Sequence, residues 1–253
     1  MTTAMKLNWC AVSLMGFLLT PVMANDAVST LNFKVEGLFG NREGETAQFF
    51  GGSAAIPVGK SFGVQVDGLA GRIDPTDIYG GGLHAFWRDS KTGLVGLTAS
   101  YGDADSYEVT RVGGEGEVYF KHFTARGIIG HQTGDIEDSA YGGLQGQYYL
   151  LDDLVLSAGA MVSDKEGLYA FSAEYQTPIQ GLTCFASVAK GEYHYDYAFV
   201  GLRFYFGGEH KTLIRRHRED NVANGLFEGF LGIRAGMTSG GAGADPCEPE
   251  PEV

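Results

Sequence analysis

Apolar side chains recur at every second position through most of the chain. Leu31, Phe33, Val35 and Phe39 alternate with Asn32, Lys34 and Glu36; Val64 and Val66 alternate with Gln65 and Asp67; Val95, Leu97, Ala99 and Tyr101 alternate with Gly96, Thr98 and Ser100. Further along, Leu154, Leu156, Ala158, Ala160 and Val162 keep strict register, and Tyr169, Phe171, Ala173 and Tyr175 stand opposite Ser172 and Glu174. A period of two sends successive side chains to opposite faces of an extended chain, so these runs predict β-strands with one apolar and one polar face. Helical spacing is almost absent between residues 30 and 206, where glycines interrupt it.

Short breaks separate the runs. Pro57 to Lys60, Arg88 to Gly93, Lys121-His122, Leu151 to Asp153 and Thr177 to Gly181 alternate with six more acidic breaks. Those are Asn41 to Glu45, Asp74 to Asp77, Gly102 to Asp105, Gly134 to Asp138, Ser163 to Gly167 and Gly191 to His194. Eleven breaks predict twelve strands, the odd-numbered ones starting near residues 31, 60, 93, 123, 154 and 182, as a hairpin repeated six times would. This rhythm leaves strands of about 9–11 residues, the length that crosses a bilayer when tilted. The expected fold class is all-β: an antiparallel transmembrane β-barrel of about 12 strands, because closure removes the unpaired edges of an open sheet.

Periodicity alone does not distinguish inside from outside, and a soluble barrel would carry its apolar face inward. The inventory of the polar face decides. Lys34, Glu36, Asp67, Arg111, Glu115, Glu117, Arg126, Glu174 and Arg203 share that face with Gly, Ser, Thr and Gln. Charges of both signs among small residues suit a wet or salt-bridged lumen. The first and last strands of a closed barrel are neighbours, so Lys34 and Glu36 are expected to face Arg203, and Arg126 to face Glu115 and Glu117. Four bases against five acids make a selectivity ring of one sign unsuited to this lumen.

Composition adds an address. The chain has 253 residues, with 31 acidic against 18 basic and a net charge of −13, which excludes nucleic acid as a partner. Lys6 precedes an apolar stretch from Leu7 to Leu19 and a small-residue exit ending at Ala24, the form of a cleaved signal peptide over residues 1–24. The barrel then occupies residues 25–206, and residues 207–253 form a periplasmic tail, partly disordered. Beyond the leader only Cys184 and Cys247 remain, one in a strand and one in the tail, which is no disulfide framework.

The last strand, Tyr197 to Phe206, resembles the C-terminal insertion signal of bacterial outer-membrane barrels, carried by Gly201, Phe204 and Phe206. Here it is internal, and Phe199 stands where that pattern has a polar residue. From Gly51 to Asp220 the chain also resembles proteobacterial porin-like outer-membrane β-barrel proteins. The recurring pieces are Gly63 to Gly68, His84 to Asp89, Gly201 to Phe206 and Ile214 to Asp220. The resemblance implies a cell outer-membrane location, contact with lipid and lipopolysaccharide, and delivery by the barrel insertion machinery. It implies no reaction and leaves oligomeric state open.

Candidate chemistry is sparse. No histidine has zinc-ligand spacing or a serine partner, so no catalytic residues and no cofactor are expected, and the chain is not read as an enzyme. His131 near Asp135 and Glu137 reads as a rim histidine beside a solvated loop. Asp135, Glu137 and Asp138 are weak candidates for a hard cation, without the spacing of a dedicated calcium loop. The basic run Lys211, Arg215, Arg216, His217 and Arg218 could grip lipid headgroups, peptidoglycan or the barrel mouth, although charge runs are ordinarily solvated faces. Two functions stay open: a porin-like passive channel for small polar solutes, or a non-conducting structural or binding barrel acting through its loops or tail.

Overall fold

The computed structural model describes residues 26–105, 107–136, 138–163, 167–191, 196–207 and 210–223. The expected leader, Glu137, His194, Cys247 and the acidic end of the chain lie outside these. Twelve strands form one closed antiparallel barrel: β1 (Asn32–Arg42), β2 (Glu45–Val58), β3 (Phe62–Ile73), β4 (Thr76–Asp89), β5 (Gly93–Ala104), β6 (Tyr107–Tyr119), β7 (Phe123–Gly134), β8 (Ser139–Leu151), β9 (Leu154–Ser163), β10 (Gly167–Gln176), β11 (Leu182–Gly191) and β12 (Asp196–Phe206). Each strand pairs with the next, and β1 pairs with β12, Phe33 opposite Phe206 and Glu36 opposite Arg203.

The odd strands start within two residues of the positions that the sequence rhythm gave. Several strands are longer than the expected span, β2 and β4 reaching 14 residues. The reason is the economy of the turns. Glu43 and Gly44 both take positive φ, 53° and 94°, and reverse the chain between β1 and β2 in two residues. Arg88 and Asp89, which the sequence reading gave to a turn, instead finish β4.

Polarity is inverted relative to a protein folded in water. Leu144, Ile129, Phe50 and Leu97 are each at least 70% exposed on the outer face, and Phe33 and Val35 point outward while Lys34 and Glu36 between them are buried. Such a surface suits hydrocarbon as solvent. Inside, apolar side chains gather only in small clusters. One lies at the end remote from the termini and includes Leu38, Phe49, Leu69, Ile78, Val109 and Phe199. Two lie at the terminal mouth: Val28, Ala55, Phe86, Leu94 and Val222, and Tyr149, Val155, Tyr205 and Leu213.

The second of these mouth clusters holds a short helix, α1 (Leu213–Glu219), which follows the barrel and turns back into its mouth. The first amides of α1 have no intrahelical acceptors, and the β8–β9 turn supplies them. Leu213 donates to Asp153 Oδ1 at 3.0 Å and Ile214 to the Asp152 carbonyl at 3.0 Å. The basic run therefore sits at the barrel mouth, with Lys211 and Arg216 buried and Arg215 left exposed.

Candidate functional site

The lumen is the concave polar surface of this molecule, and strand parity delivers its side chains. Arg203 on β12 lies between two carboxylates: its Nη2 is 2.6 Å from Glu36 Oε2 on β1, and its Nη1 reaches Glu174 on β10. Lys34 approaches the same Glu36 at 3.4 Å. On β6 and β7, Arg126 stands 3.7 Å from both Glu115 and Glu117. Arg111 donates to Gln132, which in turn donates to Ser139. Asp67 completes a second chain through His84. The imidazole Nε2 is 2.9 Å from Asp67 and Nδ1 is 2.7 Å from Glu115, so one ring nitrogen stands beside each carboxylate. All nine charges assigned to the polar face by periodicity thus point inward. The two cross-strand groupings expected, Arg203 with Glu36 and Arg126 with the two glutamates, are both present.

Sequence reasoning passed over the inward partners with the longest reach. His84 and Arg88 sat inside a recurring segment of the family resemblance, yet neither was assigned a place in the lumen. Parity was the available signal for both, since each occupies an even position of the same strand as Phe86. Arg88 is fully buried and donates to the carbonyls of Ala27 and Asp220, tying the chain before the barrel to the chain after it. Gln65 exchanges two hydrogen bonds with the backbone of Val222, at 2.8 and 3.0 Å. His217 meets the hydroxyls of Tyr149 and Tyr205 and lies 3.5 Å from Glu174. Arg218 donates to the carbonyls of Phe120 and Phe123. Residues 211–222 are in this way laced to β3, β4, β8, β10, β12 and the β6–β7 turn.

Glu219 on α1 accepts from Arg215 and lies 3.3 Å from Lys211. Burial alone would raise its carboxyl, but those two cations overcome it and hold the group below the usual carboxylate range.

The lumen is not lined uniformly. Inward positions of β8 to β11 at mid-height are Gln145, Gln147, Ser157, Ala170, Ser172 and Ser187, small or uncharged, and here a cavity of about 190 Å³ opens above α1. Its remaining wall includes Lys34, Glu36, Glu117, Arg203, His217 and Arg218.

The insertion-signal residues have distinct places. Phe204 and Phe206 lie together on the outer face, ring centroids 4.6 Å apart. Gly201 faces inward, where a Cβ would stand 2.5 Å from the Phe185 ring. Its absence lets that ring lie against the wall beneath the Arg203 guanidinium, 4.7 Å from the centroid. Phe199 also faces inward, edge-on to Phe49.

Of the weak metal candidates, Glu137 lies outside the described residues. Asp135 accepts from the Glu108 amide at 2.9 Å, and among the described residues no three His, Cys, Asp or Glu groups are placed to hold a metal ion. His131 is exposed on the outer face, and Cys184 is a free thiol on that face.

No family model and no curated protein matches the chain. Solved structures do. The KdgM porin in complex with disordered oligogalacturonate superposes with a TM-score of 0.59 at 8% identity, over 69% of this chain and 99% of that one. The NanC porin gives 0.54 at 8% identity, over 67% and 98%. The outer-membrane protein Omp33 of Acinetobacter baumannii gives 0.51 at 13%, over 70% and 98%. At such identities the likeness is one of fold. Together with the inverted polarity it supports a location in the bacterial outer membrane.

Proposed function

We propose that this protein is a porin-like outer-membrane barrel, a passive and non-enzymatic channel for small polar solutes, with both described termini on the periplasmic side. The observation that carries the reading is the cavity along β8 to β11, where small uncharged side chains leave room that the ion pairs of the opposite wall do not. The reading includes removal of the leader, contact of the apolar belt with lipid and lipopolysaccharide, and assembly by the barrel insertion machinery through Gly201, Phe204 and Phe206. Three of the structures with this fold are described as porins or as an outer-membrane protein, which favours it.

One observation favours the non-conducting alternative: the terminal mouth holds α1 and its hydrogen bonds. Single-channel recording of the refolded mature protein in a planar bilayer separates the two. A small steady conductance that grows in Arg203→Ala is the expected result, because that change removes a guanidinium from the cavity wall. Silence from both proteins, each folded by heat-modifiable mobility on a gel, would sink the channel and leave a binding or structural barrel.

A further inference from the structure

The cavity has a chemical bias. Among the described residues its charged wall groups, His217 aside, are three bases, Lys34, Arg203 and Arg218, against three acids, Glu36, Glu117 and Glu174. Each is already engaged. Arg203 joins Glu36 to Glu174, Lys34 adds to Glu36, and Glu117 accepts from the Tyr119 hydroxyl at 2.7 Å with Arg126 beside it. Arg218 is held by backbone carbonyls and by Thr124, its guanidinium 5.0 Å from the centroid of the Tyr119 ring. His217 is held by two tyrosines and Glu174.

One uncharged group is in a different condition. Asn221, just beyond α1, lines the cavity and is only 5% exposed, yet among the described residues neither its amide nitrogen nor its amide oxygen meets a partner. A buried amide left so bears the desolvation cost of a donor and an acceptor until a guest supplies both. Gln147 donates to Gln145 at 3.3 Å, and these two with Ser157 and Ser172 carry neutral amides and hydroxyls across the cavity.

We infer that the cavity selects uncharged solutes bearing hydroxyl or amide groups and disfavours ions of either sign. An ion entering would shed water against a wall whose counter-charges are already paired, whereas a neutral polar solute exchanges hydrogen bonds with water for hydrogen bonds with amides and hydroxyls. At about 190 Å³ the cavity is smaller than the several hundred Å³ usual for drug-sized ligands, which sets the guest at monosaccharide size or below. This deepens the channel reading and rests on it.

The test is isosmotic swelling of liposomes that carry the full mature protein, with arabinose, glucosamine hydrochloride and sodium gluconate as probes, run beside single-channel recording. Arabinose is expected to enter severalfold faster than either ion. Asn221→Leu is expected to slow arabinose about three- to tenfold, the effect of one lost hydrogen-bonding group. Its heat-modifiable mobility should stay that of the wild type, and Gln145→Leu on the rigid wall should act in the same direction. Equal entry of the three probes, or wild-type arabinose flux in both variants, would overturn the inference and leave the channel standing. No swelling together with no conductance would overturn the channel reading, and the inference with it.

Discussion

Between β1 and β7 the inward positions carry Lys34, Glu36, Asp67, His84, Arg111, Glu115 and Arg126, linked into chains of ion pairs and hydrogen bonds. Between β8 and β11 they carry Gln145, Gln147, Ser157, Ala170, Ser172 and Ser187, with Glu174 the one charge among the described residues of that wall. Both walls obey the same alternation, and both face the same lumen. They differ in how much volume and how much charge each inward position delivers. Charges taken out of bulk water require partners, so one wall fills with its own pairs and becomes fixed. Small neutral side chains make no such demand, and the space they leave is where a solute can pass.

The largest test of this contrast is Arg203→Ala. It strands Glu36 and Glu174 without their shared cation, and breaking a buried pair typically costs about 3–5 kcal/mol. A urea titration of the refolded barrel should show that loss, and replacing both glutamates with glutamine in the same variant should restore most of it. Wild-type stability in Arg203→Ala alone would mean that water, rather than pairing, satisfies the charged wall.

Arg88→Ala probes where that wall meets the returning tail. It leaves the carbonyls of Ala27 and Asp220 without their donor, a local loss of about 1–3 kcal/mol. Trypsin should then cut at Arg215 or Arg218 faster while the strands stay protected. Unchanged cleavage would place the hold on α1 elsewhere, in Gln65 or in Gln176, which accepts from Arg216 and donates to the Lys211 carbonyl, each at 2.8 Å.

On the opposite wall, Ser172→Phe should cost no more than about 1 kcal/mol, since the cavity accepts the ring. Conductance should nevertheless fall severalfold. If current is untouched, the path does not run along β8 to β11.

The smallest effect concerns pH. Glu219 has a depressed carboxyl, so its contribution to holding α1 is present above the ordinary carboxylate range and is lost as pH falls through the lowered value. Cleavage of α1 at Leu213 by pepsin should therefore accelerate modestly as pH falls through that value, and Glu219→Gln should remove that acceleration. A variant that keeps the wild-type acid response would assign it to another group of the mouth.

Strand number and facing were legible from single residues. Phe33, Lys34, Val35 and Glu36 already state which side faces hydrocarbon, because the sheet period is two and a one-residue slip would bury Val35 and expose Glu36. The pairing of Glu36 with Arg203, 167 positions apart, was also within reach, since closure makes the first and last strands neighbours. Asn221 gave no such signal. Nothing local distinguishes it from any other polar residue after a basic run.

What the sequence determined by itself was the barrel: alternation and tight turns are local properties, and with charges of both signs among small residues on the polar face they favour a closed arrangement with those charges inside. Only the tertiary structure decided what becomes of residues 210–223. A helix of seven residues is too short to hold itself in water, and it persists because Gln65 and Arg88, 157 and 132 positions away, meet its trailing backbone. Those partners are chosen by the shape of the mouth, which exists only once the barrel has closed.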